Sequence, residues 1–479
     1  MALLAIDQGT TGTTCLIVDD ELRPLGRGYR EIRQWYPQPG WVEHDPGELW
    51  QSVLDAAQQA LAAAGIAAAD LGAIGITNQR ETTVLWERRT GTPVDRAIVW
   101  QDRRTAARCR ELPAELVRRK TGLVCDPYFS ATKLEWLLAR TELPQSELAF
   151  GTVDSWLVWK LTGGRVHATD ETNASRTMLL GIATREWDDQ LLDLFHVDRE
   201  LLPRIVASGE LVGEAELLGA TVPLAGIAGD QQAALFGQAC FEPGEAKATY
   251  GTGSFVLVNV GGAPGHTPEG LLGTVAARSA GQAPVYALEG AVLVAGAALQ
   301  WLRDALGMIA DSADSEELAR SVESTEGVVF VPALTGLGSP YWDADARGLV
   351  TGLTRGTTKA HLVRAALEAI ALQVADIVEA VPGGVRLLRA DGGAAANGFL
   401  LQLQADLLGS PVEVSADVEA TALGAAALAG LAVGTWPGPA DVVPLLRRCG
   451  RRYEPAGDAA ALDELRAGWR LAVRRTTLR

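Results

Sequence analysis

AIDQGTTGTT, residues 5–14, sets a Gly/Thr turn between an apolar run that starts at Leu3 and a second one over Cys15–Val18. Apolar runs on both sides of turn residues predict strand, turn, strand. The same grammar returns at residues 247–260, KATYGTGSFVLVNV, where Gly251-Thr252-Gly253 leads into a β-branched run. A repeated unit of this kind predicts two related halves. Each half mixes strand and helix patterns, which predicts α/β layers. The helical pattern breaks near Ala239–Pro243 in CFEPG, so the expected halves are 1–240 and 241–479. No low-complexity linker lies between them, and a tight cleft is expected there.

Outward from the first turn, Asp45 is placed as an N-cap and Pro46 as the first helical residue. Leu49, Val53, Ala57 and Leu61 repeat at helical spacing, and Gly65 is placed to end the helix. Ala73–Ile76, Thr83–Trp86 and Ala97–Trp100 read as strands. Ala422–Gly434 reads as a close-packed Ala/Gly helix rather than a membrane span, because it is short and built from small residues.

Composition narrows the function classes. The chain has 479 residues, of which 48% are hydrophobic and 21% charged, the balance of a globular protein too long for one ordinary core. Its formal charge is −17, which opposes a nucleic-acid footprint. The opening residues have neither a basic region nor a long apolar region, so no secretory signal is expected. Five scattered cysteines without a CxxC pair suggest neither a disulfide framework nor zinc, and point to the cytoplasm. His44, His167, His196, His266 and His361 form no ligand motif. Arg447, Arg448, Arg451 and Arg452 read as a solvated face.

The chemistry-bearing residues sit in turns. There is no GxxxxGK[ST] motif. In its place stand three Gly-rich turns: 9–14, Gly251-Thr252-Gly253, and Asp391-Gly392-Gly393-Ala394 before a helical stretch with Asn397. Successive amides and Thr hydroxyls in such turns can ring phosphate oxygens, although each alone is also an ordinary tight turn. Asp230 in GIAGDQQAALFGQ, with Gln231 beside it, is either a helix N-cap or a general base for a hydroxyl that attacks phosphorus. Arg80-Glu81, directly after a strand, is either a surface pair or a donor and acceptor for two neighbouring hydroxyls. Trp100, Tyr128 and Phe255 are either core residues or an apolar wall for the carbon chain.

Together these pieces resemble the FGGY family of sugar and polyol kinases, within the actin/Hsp70-like ATPases. The strings that carry the resemblance include NQRETT (78–83), VWQDRRT (99–105), DPYFSATKLEWLL (126–138), GTVDSWLVWKLTGG (151–164), TNASRTML (172–179), GLGSPYWD (336–343) and DGGAAANGF (391–399). Residues 348–368 resemble a second signature of the wider family. The resemblance implies an α/β fold of two actin-like (ribonuclease H-like) ATPase domains flanking a central nucleotide and substrate cleft. It implies transfer of the γ-phosphate of ATP to glycerol in glycerol catabolism, with a pentulose or a longer polyol as the alternative substrate. A non-catalytic ATP-binding switch is the rival from another class, and it would not need NQRET or GDQQ. The resemblance assigns glycerol to Arg80, Glu81, Trp100, Tyr128, Asp230, Gln231 and Phe255, with Asp230 as catalytic base. It assigns ATP to Thr10, Thr11, Gly12, Thr14, Thr252, Gly296, Gln300, Gly393 and Asn397, and gives Asp7 a Mg²⁺ held through water. It also implies a homo-oligomer, a dimer or a tetramer. Family members often carry Ser and Arg where this chain has Gly12 and Thr14. Some relatives carry a phosphorylated His, or an Arg that binds fructose 1,6-bisphosphate, before the GIAGDQQ string. Residues 213–230 contain neither His nor Arg.

Overall fold

The protein is described by a computed structural model covering residues 1–416 and 419–478. The turn at residue 9 joins β1 (Ala2–Gln8) to β2 (Gly12–Val18), paired antiparallel with Asp7 opposite Thr14. The chain then adds β3 (Pro24–Glu31), α1 (Pro46–Ala64) and β4 (Leu71–Asn78). The caps of α1 are those read from sequence. The Asp45 carboxylate accepts the Gly47 amide at 2.8 Å, and Gly65 closes the helix at φ 69°. β5 (Gly213–Leu217) and β6 (Ala220–Gly229) complete a first sheet in the order β5-β6-β4-β1-β2-β3.

The second turn joins β7 (Glu245–Tyr250) to β8 (Ser254–Gly261). With β9 (Leu272–Val275), β10 (Tyr286–Val292), β11 (Leu387–Asp391), β12 (Val412–Ser415) and β13 (Cys449–Tyr453) they form a sheet ordered β9-β10-β8-β7-β11-β12-β13. Apart from the extra edge strand β9, the second sheet repeats the first. β7 and β11 are parallel as β1 and β4 are, and β10, β8 and β7 stand antiparallel as β3, β2 and β1 do. The repeat expected from the two turns is thus a repeat of topology. One strand is shorter than its sequence suggests. Regular strand covers only Ala97–Ile98 of the run 97–100; Val99 still donates to the Val42 carbonyl at 3.0 Å, and the chain turns at Trp100, whose side chain bonds the first loop.

The Ala-rich segment forms a helix, α2 (Ala420–Ala432), and its packing crosses the repeat. It lies against β1, β4 and β6 of the first sheet, and against α3 (Asp230–Gly237). Small side chains let the two helices approach closely. A Cβ on Gly424 would stand 2.0 Å from the Ala233 carbonyl oxygen, and one on Gly237 2.0 Å from that of Ala420. Gly424→Val therefore forces the helices apart and lowers stability by roughly 1–3 kcal/mol, the usual range for overpacking. Chemical denaturation checks this, and an unchanged midpoint would refute the contact.

Where parallel strands end, ligand sites form, because the loops that leave them diverge. β1, β4 and β6 end level with one another: Gln8 is opposite Asn78, and Gly229 is opposite the same residue. The turn after β1, residues 79–81 and Asp230 therefore share one edge. In the second sheet Thr249 is level with Asp391, so the turns at 251–253 and 392–394 share the corresponding edge.

Candidate functional site

The first sheet's edge carries a polar pocket with an aromatic wall. Gly229 caps α3, and Asp230 is its first helical residue rather than its N-cap. The Asp230 carboxylate accepts the Gln231 amide at 2.7 Å and faces Arg80 Nε at 3.3 Å. Its side chain keeps 30% of its exposure, enough to meet a substrate, whereas Arg80 keeps 2%. Arg80 Nη2 donates to the Tyr128 hydroxyl at 3.3 Å. The Tyr128 and Phe255 rings stand 5.6 and 6.4 Å from the Trp100 ring, both edge-on. Phe255 comes from β8 of the second half, so the wall is assembled across the cleft. Trp100 Nε1 in turn donates to the Thr10 hydroxyl at 2.9 Å, joining the aromatic wall to the first Gly/Thr loop.

Glu81 reaches this edge by strained backbone. Its φ is 61°, a conformation that is costly outside glycine and most common where function holds it. Burial raises its carboxyl above the usual range, against the pull of Arg80 and Arg176. Arg80 and Glu81, expected to meet hydroxyls, have protein partners as well. Both are already tied into a buried ion cluster. Arg80 Nη1 bonds Glu289 at 2.6 Å and Gln232 at 3.1 Å, and Glu81 accepts from Arg176 Nε at 2.7 Å. What Arg80 turns to the pocket is its Nε edge beside Asp230 and its Nη2 beside Tyr128.

Four residues of this site were not singled out by sequence reasoning: Arg176, Gln232, Lys247 and Glu289. All four are buried. Lys247, on β7, donates to the Gln231 side-chain oxygen and to the Thr249 hydroxyl. Burial lowers its ammonium below the usual range, while Asp391 and Asp230 pull the other way. The signal was present as a charged residue inside apolar strand or helix text: Glu289 in YALEGAV, Lys247 in KATY, Arg176 in SRTML. A charge there is buried only when it is paired.

The second edge opens into a cavity of about 500 Å³, large enough for a small-molecule ligand. Thr252, Gly296, Gln300, Gly393 and Asn397 all line it, with Tyr250, Leu299, Ser315 and Glu316. Gly392 stands at φ 88°, and a Cβ there would fall 2.6 Å from the Tyr250 carbonyl oxygen, so the turn needs glycine. Asn397 has a structural duty as well. It caps the helix Gly398–Leu408 by accepting the Leu400 amide at 2.9 Å. The first loop lies at the corresponding edge of the first sheet and does not line this cavity. Thr10 is half-buried and Thr11 exposed, while Gly12 and Thr14 are buried in β2.

Asp7 lies at the end of β1, opposite Thr14 and within electrostatic reach of Asp230. Burial, then the nearby Asp230 and Glu419 carboxylates, push its carboxyl up to about 8, and Arg27 pulls it down. Among the described residues no cluster of three or more His, Cys, Asp or Glu could cage a metal by itself. Two repelling carboxylates at an open edge instead suit a hard divalent cation held through water and substrate phosphate oxygens. The described cysteines are all free, and no described helix is long and apolar enough to cross a membrane. Arg447 and Arg452 lie on the surface as expected, paired with Glu245 and Glu413.

The model of the FGGY family of carbohydrate kinases, N-terminal domain, matches residues 2–237, and that of the C-terminal domain matches 246–433. The chain is 55% identical to a glycerol kinase of Aromatoleum aromaticum, with 99% of this chain and 98% of that protein covered. It is 50% identical to glycerol kinase 2 of Thermotoga maritima, with 99% and 98% covered. Its fold matches the crystal structure of Plasmodium falciparum glycerol kinase with ADP at a TM-score of 0.94 and 35% identity, over 100% of this chain and 98% of that one. Xylulose kinase from Rhodospirillum rubrum shares the fold at a TM-score of 0.87 and 24% identity, with 99% of each chain covered.

Proposed function

The chain belongs to the FGGY family of carbohydrate kinases, and on that premise we infer that it transfers the γ-phosphate of ATP to glycerol, giving sn-glycerol 3-phosphate and ADP. The observation that carries this is identity of 50–55% to glycerol kinases over almost the whole chain. Its enzyme class is ATP:glycerol 3-phosphotransferase.

The residues support a direct in-line transfer. Glycerol lies against Trp100, Tyr128 and Phe255, with Arg80 and Gln231 donating to its hydroxyls and Glu81 accepting. Asp230 takes the proton of the attacking hydroxyl as its oxygen bonds the γ-phosphorus and the bond to ADP breaks. The base and ribose of ATP occupy the cavity lined by Gly296, Gln300, Gly393 and Asn397. Its phosphates run between the Thr10–Gly12 loop and Thr252, whose amides and hydroxyls receive the developing charge. Asp7, with Asp230 near it, would hold Mg²⁺ through water, and bound there the ion would screen the phosphate charges. Because the pocket draws on both halves, their closure excludes water, which competes as a nucleophile. The same reading divides the chain near residue 240 and makes it a cytoplasmic homodimer or homotetramer, which sedimentation velocity tests.

ADP release measured with glycerol, dihydroxyacetone, xylulose and erythritol tests the substrate. Glycerol is expected to give the highest kcat/KM. A preference for xylulose of about tenfold, some 1.4 kcal/mol of transition-state binding, would overturn the reading.

Regulation is expected to differ from that of relatives with a His or Arg loop. Residues 213–229 form the β5–β6 hairpin, with Glu214 and Glu216 exposed and Arg165 at 3.2 Å from the Glu216 carboxylate. With two carboxylates and no cation of its own, the hairpin repels a bisphosphate. Fructose 1,6-bisphosphate should leave turnover at saturating glycerol unchanged, and no phosphotransferase-dependent activation should occur. Half-inhibition at millimolar effector or below would refute this.

A further inference from the structure

Glu289 lies on β10 of the second sheet, fully buried, and its partners belong to the first half. Its two oxygens take both terminal nitrogens of Arg80, at 2.6 and 3.1 Å, a forked pairing that fixes the guanidinium plane. The same carboxylate accepts from Arg176 Nη2 at 2.9 Å, and Arg176 Nε passes on to Glu81 at 2.7 Å. The result is a charge-balanced, buried quartet, Glu81–Arg176–Glu289–Arg80, in which both ends are assigned to glycerol and the middle belongs to neither pocket. Burial works against ionisation of Glu289, but Arg176 and Arg80 outweigh it and hold the carboxyl down at about 2.

We propose that Glu289, bridged by Arg176, is a positioning residue for glycerol: carried by the half that forms the nucleotide cavity, it sets the guanidinium plane of Arg80 and, through Arg176, the carboxylate of Glu81. This rests on the assignment of Arg80 and Glu81 to glycerol. Its consequence is that the glycerol site is complete only while the nucleotide half is docked against it. Without Glu289 the Arg80 guanidinium swings toward Asp230, its next nearest carboxylate at 3.3 Å. Glycerol binding weakens, while the nucleotide cavity, which contains none of the four residues, is unaffected.

The test uses the full chain with glycerol, ATP and ADP. Glu289→Gln keeps the shape and removes the charge. The double variant Glu289→Gln with Arg176→Met restores charge balance, leaving Arg80 with Glu81, and stands in if the single variant does not fold. The expected result in whichever folds is a glycerol KM raised about tenfold or more, with the ATP KM and the ADP Kd changed less than about threefold. Glu289→Asp, which withdraws the carboxylate by one methylene, should fall between that variant and wild type. A glycerol KM within about twofold of wild type, or an equal rise in both KM values, would overturn the proposal, because a purely structural role moves neither constant or both. Failure of both variants to fold beside a normal glycerol KM in Glu289→Asp would also overturn it. Wild type assayed alongside separates the two questions. If wild type does not turn over glycerol, the functional reading fails. If it does and the variants match it, only the positioning role fails.

Discussion

Asp230→Asn loses roughly 10² to 10⁴ of its turnover with glycerol, the usual worth of a positioned base. The substitution is nearly isosteric, and the new amide oxygen can still accept the Gln231 amide that Asp230 Oδ1 accepts at 2.7 Å. The start of α3 should therefore keep its shape. What disappears is the group that can take a proton from the attacking hydroxyl, at a position exposed enough to meet one. Residue 230 does not line the 500 Å³ cavity proposed for the nucleotide, so ADP affinity should stay within about twofold of wild type, a difference well under 1 kcal/mol. Single-turnover kinetics with ADP binding by calorimetry checks both halves of the statement. A variant that kept half its turnover would remove Asp230 from the role of base.

Arg80→Ala is expected to have the other large effect, and to show it in glycerol KM rather than ATP KM. Arg80 is buried and bonded to Glu289, Gln232 and Tyr128 while facing Asp230. Truncating it removes the donor proposed for glycerol and leaves the Glu289 carboxylate with Arg176 as its remaining ion partner. Lost donors to a polar ligand cost about 1–3 kcal/mol, which raises the glycerol KM by roughly five- to 150-fold. Breaking the buried pairing adds about 3–5 kcal/mol of destabilisation, so thermal unfolding must be measured beside the kinetics. Arg80→Lys separates the two effects. It restores a charge to the cluster but cannot supply the fork that Glu289 and Tyr128 share, so it should recover stability more than glycerol affinity. Equal changes in both KM values in the folded lysine variant would move Arg80 out of the glycerol site.

Much of this was legible locally. Helix α1 followed from Asp45, Pro46, Gly65 and the spacing between them, because capping and periodicity act within a few residues. The two Gly/Thr turns announced the repeat, since a turn between apolar runs specifies a hairpin whatever surrounds it. Asp230, Arg80, Trp100, Thr252, Gly393 and Asn397 stand out in their own strings, whereas Gly296 and Gln300 follow only from the family resemblance; the strand ends bring the turns to two sheet edges. Local text overstated the strand at 97–100: the chain turns at Trp100, whose side chain bonds a loop 90 residues away.

What the sequence alone determined is therefore the set of turns, caps and reactive side chains, each a consequence of chemistry within a few neighbouring residues. Only the tertiary structure decided which of those side chains are free and which are held. Arg80 and Glu289 are 209 residues apart, and their pairing exists because the segment that follows β4 meets β10. Helix α2 likewise follows the second sheet's β12 in the chain yet packs on the first sheet, where only Gly and Ala permit contact. The physical reason is common to both cases. A charge can stay buried, and two helices can touch, only when a specific distant partner is present, and no local preference encodes where that partner will be.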